Sequence, residues 1–209
     1  MKFELGKKRY NDYPTFFKTL FEERVQKLSI DGGFTCPNRD GSKGVGGCSF
    51  CNNESFNPDY CRAVRGITEQ IDEGIRFFAR KYKGQRYLAY FQAYSNTYAP
   101  LDVLKLRYEE ALAHPMISGL VIGTRPDVVS EEVLDYLEEL ARRYYVCVEY
   151  GVESVNDTVL RQVNRGHDFA VAEQAIRATA GRGITIGAHL IFGLPGESRE
   201  SMLEGAIRL

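Results

Sequence analysis

Five short runs rich in β-branched and aromatic residues, at 25–31, 86–92, 119–123, 145–151 and 185–192, alternate with stretches patterned for amphipathic helices at 68–82, 101–113, 130–143 and 169–182. No other feature constrains the fold as tightly. Strands that alternate with helices pair in parallel and connect through right-handed crossovers. One helix is marked by its charges: Ser130 is placed to cap it, Glu131 and Glu132 fill its first turn, and Arg142 and Arg143 sit at its end. The expected class is therefore α/β, as an open doubly wound sheet or a curved partial barrel. With 209 residues, 44% of them hydrophobic, the chain can bury one sizeable core. No linker divides it, so residues 1–24 read as a lead-in segment and 25–209 as one domain.

Charge excludes little by itself. The chain carries 27 basic and 28 acidic residues for a net charge of -1, so no global field points to nucleic acid or membrane, and a local basic patch stays open. The N-terminal stretch lacks a signal-length apolar core, and no apolar run approaches the ~18 residues of a membrane span. A cytoplasmic protein with no membrane partner is the expectation. Five cysteines, an odd number, argue for metal or reactive thiols over a disulfide framework.

Three of those cysteines mark a metal loop directly after the first strand-like run. Cys48 and Cys51 are two residues apart, and eleven turn-forming residues let Cys36 close the same site. Three thiolates leave one coordination position open, whereas closed structural sites use four protein ligands. Structural zinc with Cys61 as fourth ligand is the competing reading, although the 51-to-61 spacing is not that of a zinc knuckle. Cys61 is otherwise an incidental loop thiol or a resolving one, and Cys147, within an apolar strand, a core residue. The segments after the other strands, 92–97, 124–127, 151–154 and 193–197, are polar or glycine-rich, on the face where parallel α/β folds place their chemistry. His114, before Pro115, reads as a helix C-terminal cap. Glu149 reads as a partner of Arg125 or Arg165, and His189 as either a ligand contact or a hydrogen-bonded wall residue.

Together the segments resemble the radical S-adenosylmethionine (SAM) superfamily. The likeness is closest to the YhcC/YtqA-like bacterial proteins, then to the elongator-type and oxygen-independent coproporphyrinogen oxidase branches, and spans about residues 25–197. It is carried by the cysteine loop with Phe50, by Thr124-Arg125-Pro126-Asp127, by Val148 to Ser154 with Asn164-Arg165-Gly166-His167, and by Ala188 to Gly196. The resemblance implies a partial (β/α)6 TIM-type barrel, truncated after the fifth strand because Leu209 falls within the helix expected to follow it. It implies a 4Fe-4S cluster on Cys36, Cys48 and Cys51, with SAM on the fourth iron. Reductive cleavage of SAM there would give a 5'-deoxyadenosyl radical that abstracts hydrogen from a substrate, with an electron donor such as flavodoxin or ferredoxin. Phe50 would pack near the adenine, Glu153 and His189 near the ribose, and Arg165 near the SAM carboxylate. Ala93 and Tyr94, with Ser95 following, stand where the superfamily has a glycine pair that receives the SAM amino group.

The elongator-type likeness makes tRNA, at the wobble uridine, the first substrate expectation. A small-molecule radical enzyme and a non-catalytic iron-sulfur or zinc-binding module are the alternatives; a basic groove beside the cluster favours RNA, and an enclosed apolar pocket a small molecule. Lys7, Lys8, Arg9 and Tyr10 with Tyr13, Phe16 and Phe17 combine charge and aromatics as an RNA-contacting segment would. The same residues also suit an amphipathic lead-in helix packed on the barrel, which is the preferred reading.

Overall fold

The computed structural model describes residues 10, 12–52, 57–80 and 85–209. Strands β1 (Arg24–Ile30), β2 (Gln85–Phe91), β3 (Ile117–Thr124), β4 (Tyr145–Glu153) and β5 (Thr185–Leu190) form one sheet. Every pairing is parallel and the spatial order follows the sequence, β1-β2-β3-β4-β5. A doubly wound sheet reverses its order at a switch point, whereas a barrel wall does not. The sequential order therefore decides between the two architectures expected from sequence in favour of the partial barrel.

Alternation along the strands separates two apolar clusters. On one face Tyr87, Ala89 and Phe91 of β2 join Leu120, Ile122, Val148 and Tyr150 in the main core. Covering this face are α2 (Ile67–Ala79), α3 (Leu101–Leu112), α4 (Glu131–Ala141) and α6 (Phe169–Thr179). The opposite, concave face carries Leu88, Val121 and Cys147, which pack with Phe17 of α1 (Tyr13–Leu20). The Phe17 ring lies 4.5 Å from that of Tyr13 and 5.6 Å from that of Tyr145. This corrects the RNA-contacting reading for Phe16 and Phe17, whose rings are used in packing; Lys7, Lys8 and Arg9 lie outside the described residues.

The local signals act as the sequence suggests. Asp12 caps α1 through Thr15 N at 2.9 Å, and Ser130 caps α4 through Val133 N at 3.3 Å. After β5, α7 (Arg199–Arg208) is capped by Ser198. A short helix, α5 (Asp157–Gln162), was not expected: six residues are too few to show helical periodicity. Its signal is Asn156, whose side chain accepts from Thr158 N and Val159 N. His114 is not a helix cap: its Nδ1 accepts from Met116 N at 3.2 Å, and its Nε2 lies 3.2 Å from Asp72 of α2, so it fastens the α3–β3 turn. No helix among the described residues is long and apolar enough to cross a membrane.

Candidate functional site

The C-terminal strand ends surround a cavity of about 600 Å³, bordered by Cys36, Cys48 and Cys51. Backbone turns shape the cysteine loop: Arg39 N donates to Cys36 O at 2.8 Å, Gly47 N to Asn38 O at 2.8 Å, and Cys51 N to Cys48 O at 3.0 Å. What holds the loop to the barrel is Asn38, which is fully buried. Its Nδ2 donates to Asn164 O at 2.6 Å and Arg165 O at 3.0 Å, and lies 3.5 Å from Cys48 Sγ. Asn164 returns the contact through Nδ2 to Gly47 O at 2.9 Å, and Ser49 N donates to Val163 O at 3.0 Å. Gly166 follows with φ 78°, and a Cβ there would stand 2.6 Å from Asn38 Oδ1. The Asn164-Arg165-Gly166 turn is thus fitted around one loop asparagine.

That clasp gives a prediction. Asn38→Ala removes a buried donor from two carbonyls and should lower stability by about 2 kcal/mol. Its larger effect is expected on the loop, as faster loss of reconstituted iron in a chelator challenge. Wild-type iron retention would show that the loop holds its shape without the clasp.

The same turn delivers Arg165. Its Nη1 lies 3.7 Å from Cys48 Sγ, its Nη2 donates to Gly151 O, and it stands 3.9 Å from Glu153 Oε1. A Cβ at Gly151 would sit 2.5 Å from Glu153 Oε1 and 2.9 Å from Arg165 Nη2, so the glycine leaves these two side-chain ends their present positions. A register shift between Gly151 and Glu153, with Glu153 at φ 69°, turns that carboxylate into the cavity. Burial pushes the Glu153 carboxyl upward against the opposing pull of Arg165, His189 and Arg125. From β3, Arg125 is fixed by two 2.9 Å bonds to Asp127, which also accepts from Lys43 at 2.6 Å. Burial would raise the Asp127 carboxyl, but these bonds overcome it and hold it at about 2.

The cavity floor holds a charged group that the sequence did not reveal. Lys27 of β1 pairs with Glu149 of β4, whose second oxygen lies 3.2 Å from His189 Nε2. The Tyr13 hydroxyl donates to Glu149 at 3.4 Å, and the Lys27 ammonium lies 4.4 Å from the ring centroids of both Tyr13 and Tyr90. Burial alone would raise the Glu149 carboxyl; hydrogen bonds from His189, Lys27 and Tyr90 instead hold it at about 2. The His189 imidazole is raised chiefly by its bond to Glu149. The expected pairing of Glu149 with Arg125 or Arg165 is therefore incorrect, since Arg125 serves Asp127 and Arg165 serves Gly151 and Glu153. The signal for Lys27 is its place in β1: it alternates with Leu28 and Ile30 and so faces inward.

Of the residues expected to contact cofactor, Phe50, Tyr94, Ser95, Glu153, Arg165 and His189 all border this cavity. Ala93 is 1% exposed and does not border it. Cys61 lies in a separate cleft, with its thiol pushed up to about 12 by burial. Cys147 is a core thiol, likewise raised by burial to about 12. Among the described residues no three His, Cys, Asp or Glu side chains converge on a single-ion site. A cubane cluster needs no such convergence, because each thiolate binds a different iron. Three buried donor atoms of cavity residues also lack hydrogen-bond partners in the protein: Ser95 Oγ, Arg125 Nη1 and Arg165 Nε. Unpaired buried donors beside three free cysteines fit a sulfur-ligated cluster with a polar, carboxylate-bearing ligand.

A sequentially wound parallel barrel wall with a cysteine loop at its strand ends defines an α/β core with three free thiols at the mouth of the barrel. The chain belongs to the radical SAM superfamily, whose sequence pattern matches residues 36–206. It is 43% identical to protein YhcC of Escherichia coli (strain K12) over 185 residues, which cover 88% of this chain and 59% of YhcC. To YtqA of Bacillus subtilis it is 37% identical over 199 residues, covering 95% and 62% respectively. The chain thus spans about three fifths of the length of these relatives. A shorter match, 31% over 94 residues, covering 45% of this chain and 17% of the other, joins it to tRNA uridine(34) acetyltransferase of Methanocaldococcus infernus. The fold is shared with archaeal Elp3 from M. infernus, at TM-score 0.60 and 18% identity over 87% of this chain and 41% of that one. It is shared too with E. coli coproporphyrinogen III oxidase HemN, at TM-score 0.57 and 18% identity over 96% and 48%.

Proposed function

We propose that this chain is the catalytic core of a radical SAM enzyme that acts on tRNA, at or near a wobble uridine. The observation that carries the cofactor part is the meeting of Cys36, Cys48 and Cys51 with Arg165, Glu153 and unpaired polar atoms at one cavity. In that reading the three thiolates hold a 4Fe-4S cluster, which when reduced supplies the electron that converts bound SAM to a hydrogen-abstracting radical. Arg165 sets a positive charge beside Cys48 and toward the SAM carboxylate. Glu153 and His189 offer hydrogen bonds to the ribose, and Phe50 an apolar face to the adenine. Ser95, held by Ser95 N to Thr35 O at 3.2 Å, offers its unpaired hydroxyl to the SAM amino group.

The RNA part is supported by the partial similarity to a tRNA uridine(34) acetyltransferase. Arg39, on the cysteine loop, adds positive charge at the mouth. Deletion of the gene, followed by nucleoside profiling of total tRNA, tests the substrate. Loss of one modified uridine, restored by the wild-type gene and not by a Cys48→Ala copy, is the expected result; an unchanged profile would contradict it.

A further inference from the structure

Three non-glycine residues among those described adopt positive φ: Tyr94 at 65°, Glu153 at 69° and Asn164 at 55°. Asn164 is a residue type that tolerates this region, and Glu153 gains a buried place in the cavity. Tyr94 stands where the resemblance puts a glycine pair, which gives a reason for the backbone conformation and none for a ring. The residue is 38% exposed, although its neighbours Ala93 and Ser95 are buried at 1% each. Burial of the side chain therefore does not account for holding a bulky residue where glycine is favoured. Such strain persists where the surrounding structure enforces it, and it gathers at ligand clamps.

The position of the ring indicates what it does. It borders the cluster cavity on one side and, on the other, a second cleft of about 460 Å³ lined by Asp59, Cys61 and Arg62. It is thus a partition at the mouth, reachable from both sides. The Arg39 guanidinium lies 5.8 Å from the ring centroid and is steadied by its 3.2 Å bond from Nη2 to Cys51 O. An exposed aromatic face with an arginine beside it is the usual stacking platform for unpaired bases.

We propose that Tyr94 is a specificity-determining residue that stacks on a nucleobase of the substrate as it enters the cavity, at the expense of local backbone strain. This rests on the RNA reading above. The test uses iron-reconstituted wild type, Tyr94→Gly and Tyr94→Phe, with three readouts: melting temperature, the SAM response of the reduced cluster, and affinity for a synthetic tRNA anticodon stem-loop by fluorescence anisotropy. Tyr94→Gly should melt at or above the wild-type temperature, keep its SAM response, and bind the stem-loop about tenfold more weakly, the scale of one lost base stack. Tyr94→Phe should bind as wild type does. A lower melting temperature for Tyr94→Gly would make the ring a packing element, and a lost SAM response would make it a cofactor contact; either overturns the proposal. Wild-type affinity in Tyr94→Gly overturns it while leaving the RNA reading intact. Failure of the wild type to bind the stem-loop sinks both.

Discussion

Replacing Cys36, Cys48 or Cys51 singly with alanine should reduce reconstituted iron to near background and abolish the charge-transfer absorption of the cluster, while Cys61→Ala retains both. The contrast follows from placement. The first three thiols border one cavity, and Arg165 adds a cation 3.7 Å from Cys48 Sγ, suited to the negative charge of a thiolate-ligated cluster. Cys61 lies in another cleft, its thiol pushed up to about 12 by burial and by the charge of Asp31. Stability should follow a different pattern: Cys36→Ala and Cys51→Ala alter half-buried positions and should change the apo-protein by less than about 1 kcal/mol. Iron per chain and the visible spectrum are the measurements. Full iron in any one of the three variants would remove that residue from the ligand set, and loss of iron in Cys61→Ala would restore the four-ligand reading.

Lys27→Met should be the most destabilising of the substitutions considered, by about 3 kcal/mol, or a melting temperature lower by roughly 10 °C. The substitution strands Glu149, whose side chain is only 6% exposed, without its cation. The value is set at the low end for a broken buried pair because Lys27 keeps 22% exposure and His189 remains beside the carboxylate. Lys27→Met with Glu149→Gln should recover much of the loss, with a coupling of about 2 kcal/mol in a double-mutant cycle. The same group sets a pH dependence. Glu149 is held at about 2, below its ordinary 4.5, so its contribution is present above pH 4.5 and is lost as pH falls through the folded value. For His189 the sign is opposite: its raised value contributes stability fully present below its ordinary 6.5 and lost as pH rises through the folded value. Denaturant midpoints measured from pH 2 to 9 check both limbs. In Glu149→Gln the acid limb should flatten; an unchanged limb would assign acid sensitivity to other carboxylates such as Asp127.

The five strands and four main helices were legible because burial imposes short periods on sequence, and their bounds shift by only a few residues in the structure. The choice between an open sheet and a barrel was legible only through the family resemblance, because both share the βα pattern and differ only in strand order. The cysteine loop was legible for a chemical reason: three soft ligands lie within sixteen positions of one another. Asn38 lies inside that loop yet went unnoticed, since its partners Asn164 and Arg165 are 126 and 127 positions away. Lys27 and Glu149 are 122 positions apart and meet only when β1 and β4 curve toward one another across the concave face. Polar residues that work by long-range pairing leave no local pattern, and so Lys27 on the floor of the site was missed while the three cysteines on its rim were singled out.

The central claim is that the cavity bordered by Cys36, Cys48 and Cys51 holds a cluster with one iron open to SAM. It is tested most directly by anaerobic electron paramagnetic resonance of the iron-reconstituted, dithionite-reduced protein, recorded with and without SAM. The account predicts a reduced 4Fe-4S signal whose shape changes when SAM is added. A cluster signal indifferent to SAM, or a protein that takes up a single zinc and gives no cluster signal, would contradict it.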